Sequence, residues 1–194
     1  MHWQLTLADE NITPGGALQG GIGMGIAVDA LESVTGRQAI WSTAQYLSYA
    51  EPPGEVDIKL SLEVVGHRIT QARATLHLGK TEVLTALVAL GSRDFEIEGT
   101  PAQKPKTEPV ERCRSQEMAR EDMASMFDKM SMVIAKGRTR DEITEVRGDG
   151  NSIFYVRIAD GPRLINASDI AAVGDTMPMA YGDAFGANVN GNST

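Results

Sequence analysis

The groups best placed to do chemistry in this sequence belong to the backbone. Gly20, Gly21, Gly23 and Gly25 fall within one short run, Gly20-Gly21-Ile22-Gly23-Met24-Gly25, at the start of a segment with helical spacing. The first N–H groups of a helix have no intrahelical acceptor and sit at the positive end of its dipole. Groups so placed can stabilise the oxyanion that develops when a nucleophile attacks a carbonyl. Gly20 and Gly21 are the oxyanion and substrate-binding candidates, and Gln45 is the side chain that could orient a water or a carbonyl beside them. The structural reading competes with this one: glycine lets a helix pack tightly inside a wrapping sheet, and a strand glutamine is commonly a solvated polar residue.

Other reactive residue types carry weaker signals. His67 and His77 have no Ser, Cys or carboxylate at the spacing of a nucleophile and its base, and read as surface histidines. Cys113 lies in a Pro-rich stretch without a His partner and reads as structural. Arg37 and the run Arg138-Thr139-Arg140 could hold phosphates by charge-assisted hydrogen bonds, against the commoner fate of solvated surface. Met118, Met123, Met126, Met130 and Met132 could line a channel for an irregular apolar ligand, but core filling is the better reading. Three histidines and one cysteine, with neither HExxH nor CxxC spacing, support no metal site. No phosphate loop or dinucleotide fingerprint is present, and no cofactor is expected.

These groups need elements to position them. From residue 20 to 36, Met24, Ala27, Val28, Leu31 and Val34 recur at helical spacing and Gly36 supplies a C-terminal stop. Each glycine inside a helix costs up to about 1 kcal/mol relative to alanine, so something must approach the start of this helix closely. The period then changes to two. Ile58, Leu60, Leu62 and Val64 alternate with polar residues, as do Ala72, Ala74, Leu76 and Leu78, and residues 83–90 are nearly all apolar. Residues 40–49 form a further strand candidate, closed by Glu51-Pro52-Pro53-Gly54. One helix followed by at least four antiparallel strands results, an α+β pattern.

Beyond the meander, Pro101, Pro105 and Pro109 with scattered charges read as a linker. The expected domains are 1–95, a linker over 96–122, and a second, incomplete unit over 123–194. Within that unit, Met123, Met126, Phe127, Met130 and Ile134 fit either a helical stripe or the lead into a strand. Residues 153–158 read as a strand, and 166–185 as a helix capped by Asn166 or Ser168 and interrupted near Pro178.

Eighteen Lys plus Arg against 26 Asp plus Glu give a formal charge of -8, which removes the general attraction to phosphate backbones that nucleic-acid binders need. One small phosphate-bearing ligand still needs only a few local basic residues. The lone Cys113 fits a reducing compartment, and residues 1–9 carry no basic region followed by an apolar one, so the cytoplasm is the expected location. No run of apolar residues is long enough to span a membrane.

Six segments in order resemble one family. They are Gly20-Gly21-Ile22-Gly23-Met24-Gly25-Ile26-Ala27, Leu47-Ser48-Tyr49-Ala50-Glu51-Pro52, Gly66-His67-Arg68-Ile69-Thr70-Gln71-Ala72-Arg73, Pro109-Val110-Glu111-Arg112-Cys113, Tyr155-Val156-Arg157-Ile158-Ala159-Asp160-Gly161 and Ala171-Ala172-Val173-Gly174-Asp175-Thr176-Met177-Pro178. Together they are similar to the type II acyl-CoA thioesterase or thioesterase-like superfamily over most of residues 14–186. The resemblance implies a double hotdog fold, two units each with an antiparallel sheet wrapped on a central helix and packed side by side into one continuous sheet, with the second repeat truncated. It implies hydrolysis of acyl-CoA to free acid and CoA, by activated water at the junction of the two units. The family's catalytic carboxylate lies on the strand after the second helix, with a Thr or Ser and a Gln on later strands. Carried onto this sequence, those positions fall beyond Thr194, and Ala44 stands at the acid's position in the first unit.

Alanine cannot activate water. A second reading is therefore a non-catalytic acyl or acyl-CoA-binding module, or a chain completed by a partner. Open strand edges favour a homo-oligomer or completion by another chain. A hotdog dehydratase ranks lower, for want of a His with an acidic partner near the helix.

Overall fold

The computed structural model describes residues 2–92, 99, 102–116, 125–158, 164–176 and 179–186. Pro101, Met118, Met123, Ala159, Asp160, Gly161, Met177, Pro178 and Thr194, which figure in the sequence reading, lie outside the described residues.

The change of period from 3.6 to two becomes a helix held against a sheet. The first unit runs β1 (His2–Thr6), α1 (Gly20–Thr35), β2 (Ala39–Tyr46), β3 (Glu55–Val65), β4 (Ile69–Leu78) and β5 (Thr81–Gly91). Its strands pair antiparallel in the order β1-β3-β4-β5-β2. Along β3, Val56, Ile58 and Leu60 are buried while Glu55, Lys59 and Ser61 are exposed, so one face of the pleat is dry. That face receives Ala27, Val28, Ala30 and Leu31 of α1, which join Val56, Ile58, Leu76, Val88 and Leu90 in one apolar core. The helix stops at Gly36, whose φ of 63° is the left-handed cap that lets its N–H reach the Glu32 carbonyl at 2.8 Å.

Two details of this unit differ from the sequence reading. β1 is an edge strand with no clear alternation of its own; it is held by β3, where the Asp57 carboxylate accepts from Gln4 Nε2 at 3.0 Å and lies 2.9 Å from His2 Nε2. β2 ends at Tyr46 instead of Tyr49, because the Leu47 and Ser48 N–H groups both turn to the Val83 carbonyl and leave the ladder.

The second unit contains β6 (Arg114–Gln116), β7 (Met130–Lys136), β8 (Ile153–Ile158), α2 (Ala167–Gly174) and α3 (Met179–Phe185), with the sheet order β6-β7-β8. The stretch expected as a linker over 96–122 thus carries a strand. Arg114-Ser115-Gln116 has no apolar pattern; β7 supplies its ladder, and buried Gln116 accepts the Arg140 N–H at 2.7 Å. The methionine stripe resolves into a 3-10 turn, Met126–Lys129, followed by β7, with Met126, Met132 and Ile134 buried. Of the two cap candidates, Asn166 serves: its side chain accepts the Asp169 N–H at 2.9 Å and the Asp169 carboxylate returns the bond at 3.0 Å. Ser168 instead donates to Asn166 Oδ1.

α3 is tied down by Asp183, which is buried and paired with Arg138 while accepting the Gly150 N–H at 2.8 Å. No helix among the described residues is long and apolar enough to cross a membrane.

Candidate functional site at the start of the first helix

The glycines of α1 make room for a second helix. A Cβ at Gly21 would collide with the Ala171 carbonyl oxygen, and one at Gly25 would fall 2.8 Å from the Ser168 carbonyl oxygen. α1 and α2 therefore run antiparallel in close backbone contact, Gly21 beside Ala171 and Gly25 beside Ser168. Gly20 and Gly23 face Tyr46 and Leu84 of the wrapping sheet, while what approaches Gly21 and Gly25 is the backbone of α2. Gly20 lies under Tyr46, where a Cβ would sit 2.7 Å from the ring.

Accounting for the free N–H groups of α1 defines the site. Gln19, only 2% exposed, caps the helix by accepting the Ile22 N–H on Oε1 at 2.6 Å. Its Nε2 donates to Asp175 Oδ2 at 2.8 Å and to the Ala172 carbonyl at 3.4 Å. The Gly21 N–H donates to the same Asp175 Oδ2 at 2.9 Å. Among the described residues the Gly20 N–H has no acceptor and Asp175 Oδ1 has no donor. A carboxylate is thus anchored through one oxygen at a positive helix end, with its other oxygen and a neighbouring N–H uncommitted. Burial, with the Asp175 charge adding to it, raises the Tyr46 hydroxyl above the usual phenol value and keeps it neutral.

Of the three candidates from the sequence, Gly20 and Gly21 are brought together and Gln45 is not. Ala44 packs toward the core and Tyr46 against Gly20, so alternation turns the exposed Gln45 to the opposite face of β2. The sequence reading missed Gln19, Tyr46 and Asp175. Two of them carried a signal: Gln19 directly precedes the glycine run, and Asp175 directly follows a helical segment within one of the family-like stretches.

The remaining candidates resolve into mostly structural roles. Arg37 donates to the Gly66 carbonyl, the Thr70 hydroxyl and the His67 carbonyl, and Arg138 pairs with Asp183. His67 is exposed as expected, but His77 is a correction, its side chain only 17% exposed and its Nε2 3.8 Å from Glu82. β4 places it in the pleat between β3 and β5, opposite Asp57 and Glu82. Cys113 Sγ lies 3.4 Å from the Pro109 carbonyl, within its own turn. No group of three or more His, Cys, Asp or Glu among the described residues could hold a metal ion.

No protein-family model matches the chain, and no curated protein sequence matches it significantly. Solved structures do. A protein of Novosphingobium aromaticivorans provisionally assigned as a thioesterase superposes with a TM-score of 0.81 at 23% identity, covering 94% of this chain and 71% of that one. A conserved protein of unknown function with a hot dog fold from Alicyclobacillus acidocaldarius gives 0.75 at 18% identity, over 90% of this chain and 64% of that one. The tesB protein of Mycobacterium avium subs paratuberculosis gives 0.57 at 14% identity, over 90% of this chain and 61% of that one. The chain has the hotdog fold, in the α+β class. The resemblance read from the residues holds at the level of the fold.

Proposed function

We propose that this chain is an acyl-CoA thioesterase-like protein that hydrolyses an acyl thioester to free acid and thiol with an activated water. The observation that carries the reading is Asp175, fixed at the start of α1 with one oxygen still free. In the proposed reaction Asp175 Oδ1 takes a proton from the attacking water, and the Gly20 N–H donates to the oxyanion. Gln19 and the Gly21 N–H position the carboxylate. The two units as domains, an acyl-CoA ligand, and association with a second copy or another chain belong to the same proposal.

The test is hydrolysis of a panel of acyl-CoA thioesters by the chain and by Asp175→Asn. Losing a general base lowers kcat by about 10²–10⁴-fold, while binding of a non-hydrolysable thioether analogue persists. Unchanged turnover in Asp175→Asn would remove Asp175 from the mechanism.

The second reading, a non-catalytic acyl or acyl-CoA-binding module, is favoured by the fact that Asp175 already occupies the Gly21 N–H. It predicts that the chain binds the analogue and turns over none of the panel.

A further inference from the structure

We propose that the groove between the C-terminal end of α1 and the β3–β4 turn binds a small phosphorylated anion. The groove has a volume of about 470 Å3, within the range of small-molecule sites, and its lining includes Arg37, Gln38, His67, Arg68 and Ser92. Three of these are basic types gathered on a chain whose net charge is -8. None of the three has a carboxylate partner among the described residues. The acceptors of Arg37 are all neutral: the Gly66 carbonyl at 2.9 Å, the Thr70 hydroxyl at 2.9 Å and the His67 carbonyl at 3.3 Å. The side chains of His67 and Arg68 are exposed, with no hydrogen bond or ion pair among the described residues.

The turn that presents them is held from two sides. Arg37 grips its carbonyls, and the Gly66 N–H closes it on the Ile69 carbonyl at 3.0 Å. On the far side Gly91, at φ 132°, lies so close that a Cβ would strike the Arg68 carbonyl oxygen, while its N–H reaches the Gln38 carbonyl at 2.8 Å. A guanidinium fork, an imidazole, an amide and a hydroxyl on a fixed frame match the oxygens of a phosphoryl group. Among the lining residues named here, His67 is the one ring, and none is an apolar side chain, so the carrier is a small polar molecule. α1 separates this groove from Asp175 by its 16 residues, about 24 Å. It is therefore a second site, and it stands whether or not the thioesterase reading does.

The experiment follows the Cε1–H resonances of the three histidines, His2, His67 and His77, at fixed pH. Inorganic phosphate and glycerol 3-phosphate are the probes, with potassium chloride matching ionic strength. The expected result is a saturable shift of the His67 signal with His2 and His77 unmoved. Affinity falls at least tenfold in Arg68→Glu and in the milder Arg68→Gln, and is retained in Arg112→Glu, which makes the same charge change elsewhere. A His67 shift reproduced by potassium chloride, no saturation at millimolar probe, or equal loss in Arg112→Glu overturns the proposal.

Discussion

At the residue scale, Gly21 is the position where the two units leave least room. Its missing side chain admits the Ala171 carbonyl, and its N–H holds Asp175. Gly21→Ala gains up to about 1 kcal/mol of helix propensity but forces a Cβ into backbone that cannot rotate away. A net loss of about 1–3 kcal/mol is expected, as for other overpacked sites. Gly23→Ala meets only the flexible ends of Leu84 and Leu18, at 3.3 and 3.4 Å, and comes out closer to neutral. Urea unfolding of the two variants separates these outcomes; equal midpoints would refute the close approach of α2.

Asp183 gives the pH counterpart. The Arg138 hydrogen bond, followed by that of the Gly150 N–H, lowers its carboxyl below the usual aspartate value. A lowered folded-state pKa contributes stability that is complete above the unfolded value, about 3.9, and is lost as pH falls through the folded one. Asp183→Asn is therefore less stable at neutral pH, and the gap to the parent chain narrows below about pH 4. Chemical denaturation at pH 7 and pH 3 reads the sign directly, and a gap that widens in acid refutes it.

At the scale of elements, legibility followed how local each cause was. α1, β3, β4 and β5 could be read because burial of one face imposes its period on the element's own residues. Leu31, Ile58 and Leu76 are each 0–1% exposed, and each falls where that period puts it. β1 and β6 were not legible because their partners' backbones hold them, through pairs such as His2 with Lys59 and Gln116 with Met132. The site was half legible for the same reason. Gly20 and Gly21 announce a crowded helix start, but Asp175 reaches it across 154 residues of sequence, and no local spacing encodes that meeting. The core deserves the usual check on such a reading: Leu31→Ala removes a side chain with no exposure and lowers stability by about 3 kcal/mol, within the range for buried leucine. A loss under about 1 kcal/mol, measured by denaturation, contradicts its central place.

At the scale of the molecule, the first sheet ends at β2, eight residues long and paired on one side only. Such an edge is a template for another strand unless charge or a bulge blunts it. β2 has no charged residue along Ala39–Tyr46, and the register shift at its start leaves Trp41 to Tyr46 in a regular ladder. On the face of the sheet away from α1, Trp41 and Leu87 are 56% and 48% exposed, apolar side chains free to meet a second sheet. The association proposed above should use this edge. The parent chain is then expected to sediment heavier than its 20.8 kDa, and Trp41→Lys to move it toward that mass. Because Trp41 is 56% exposed in the isolated chain, the substitution should leave the unfolding midpoint of the dilute protein unchanged, separating loss of contact from loss of fold. A parent chain that sediments as a monomer at high concentration leaves β2 as a bare edge and removes the case for a second copy.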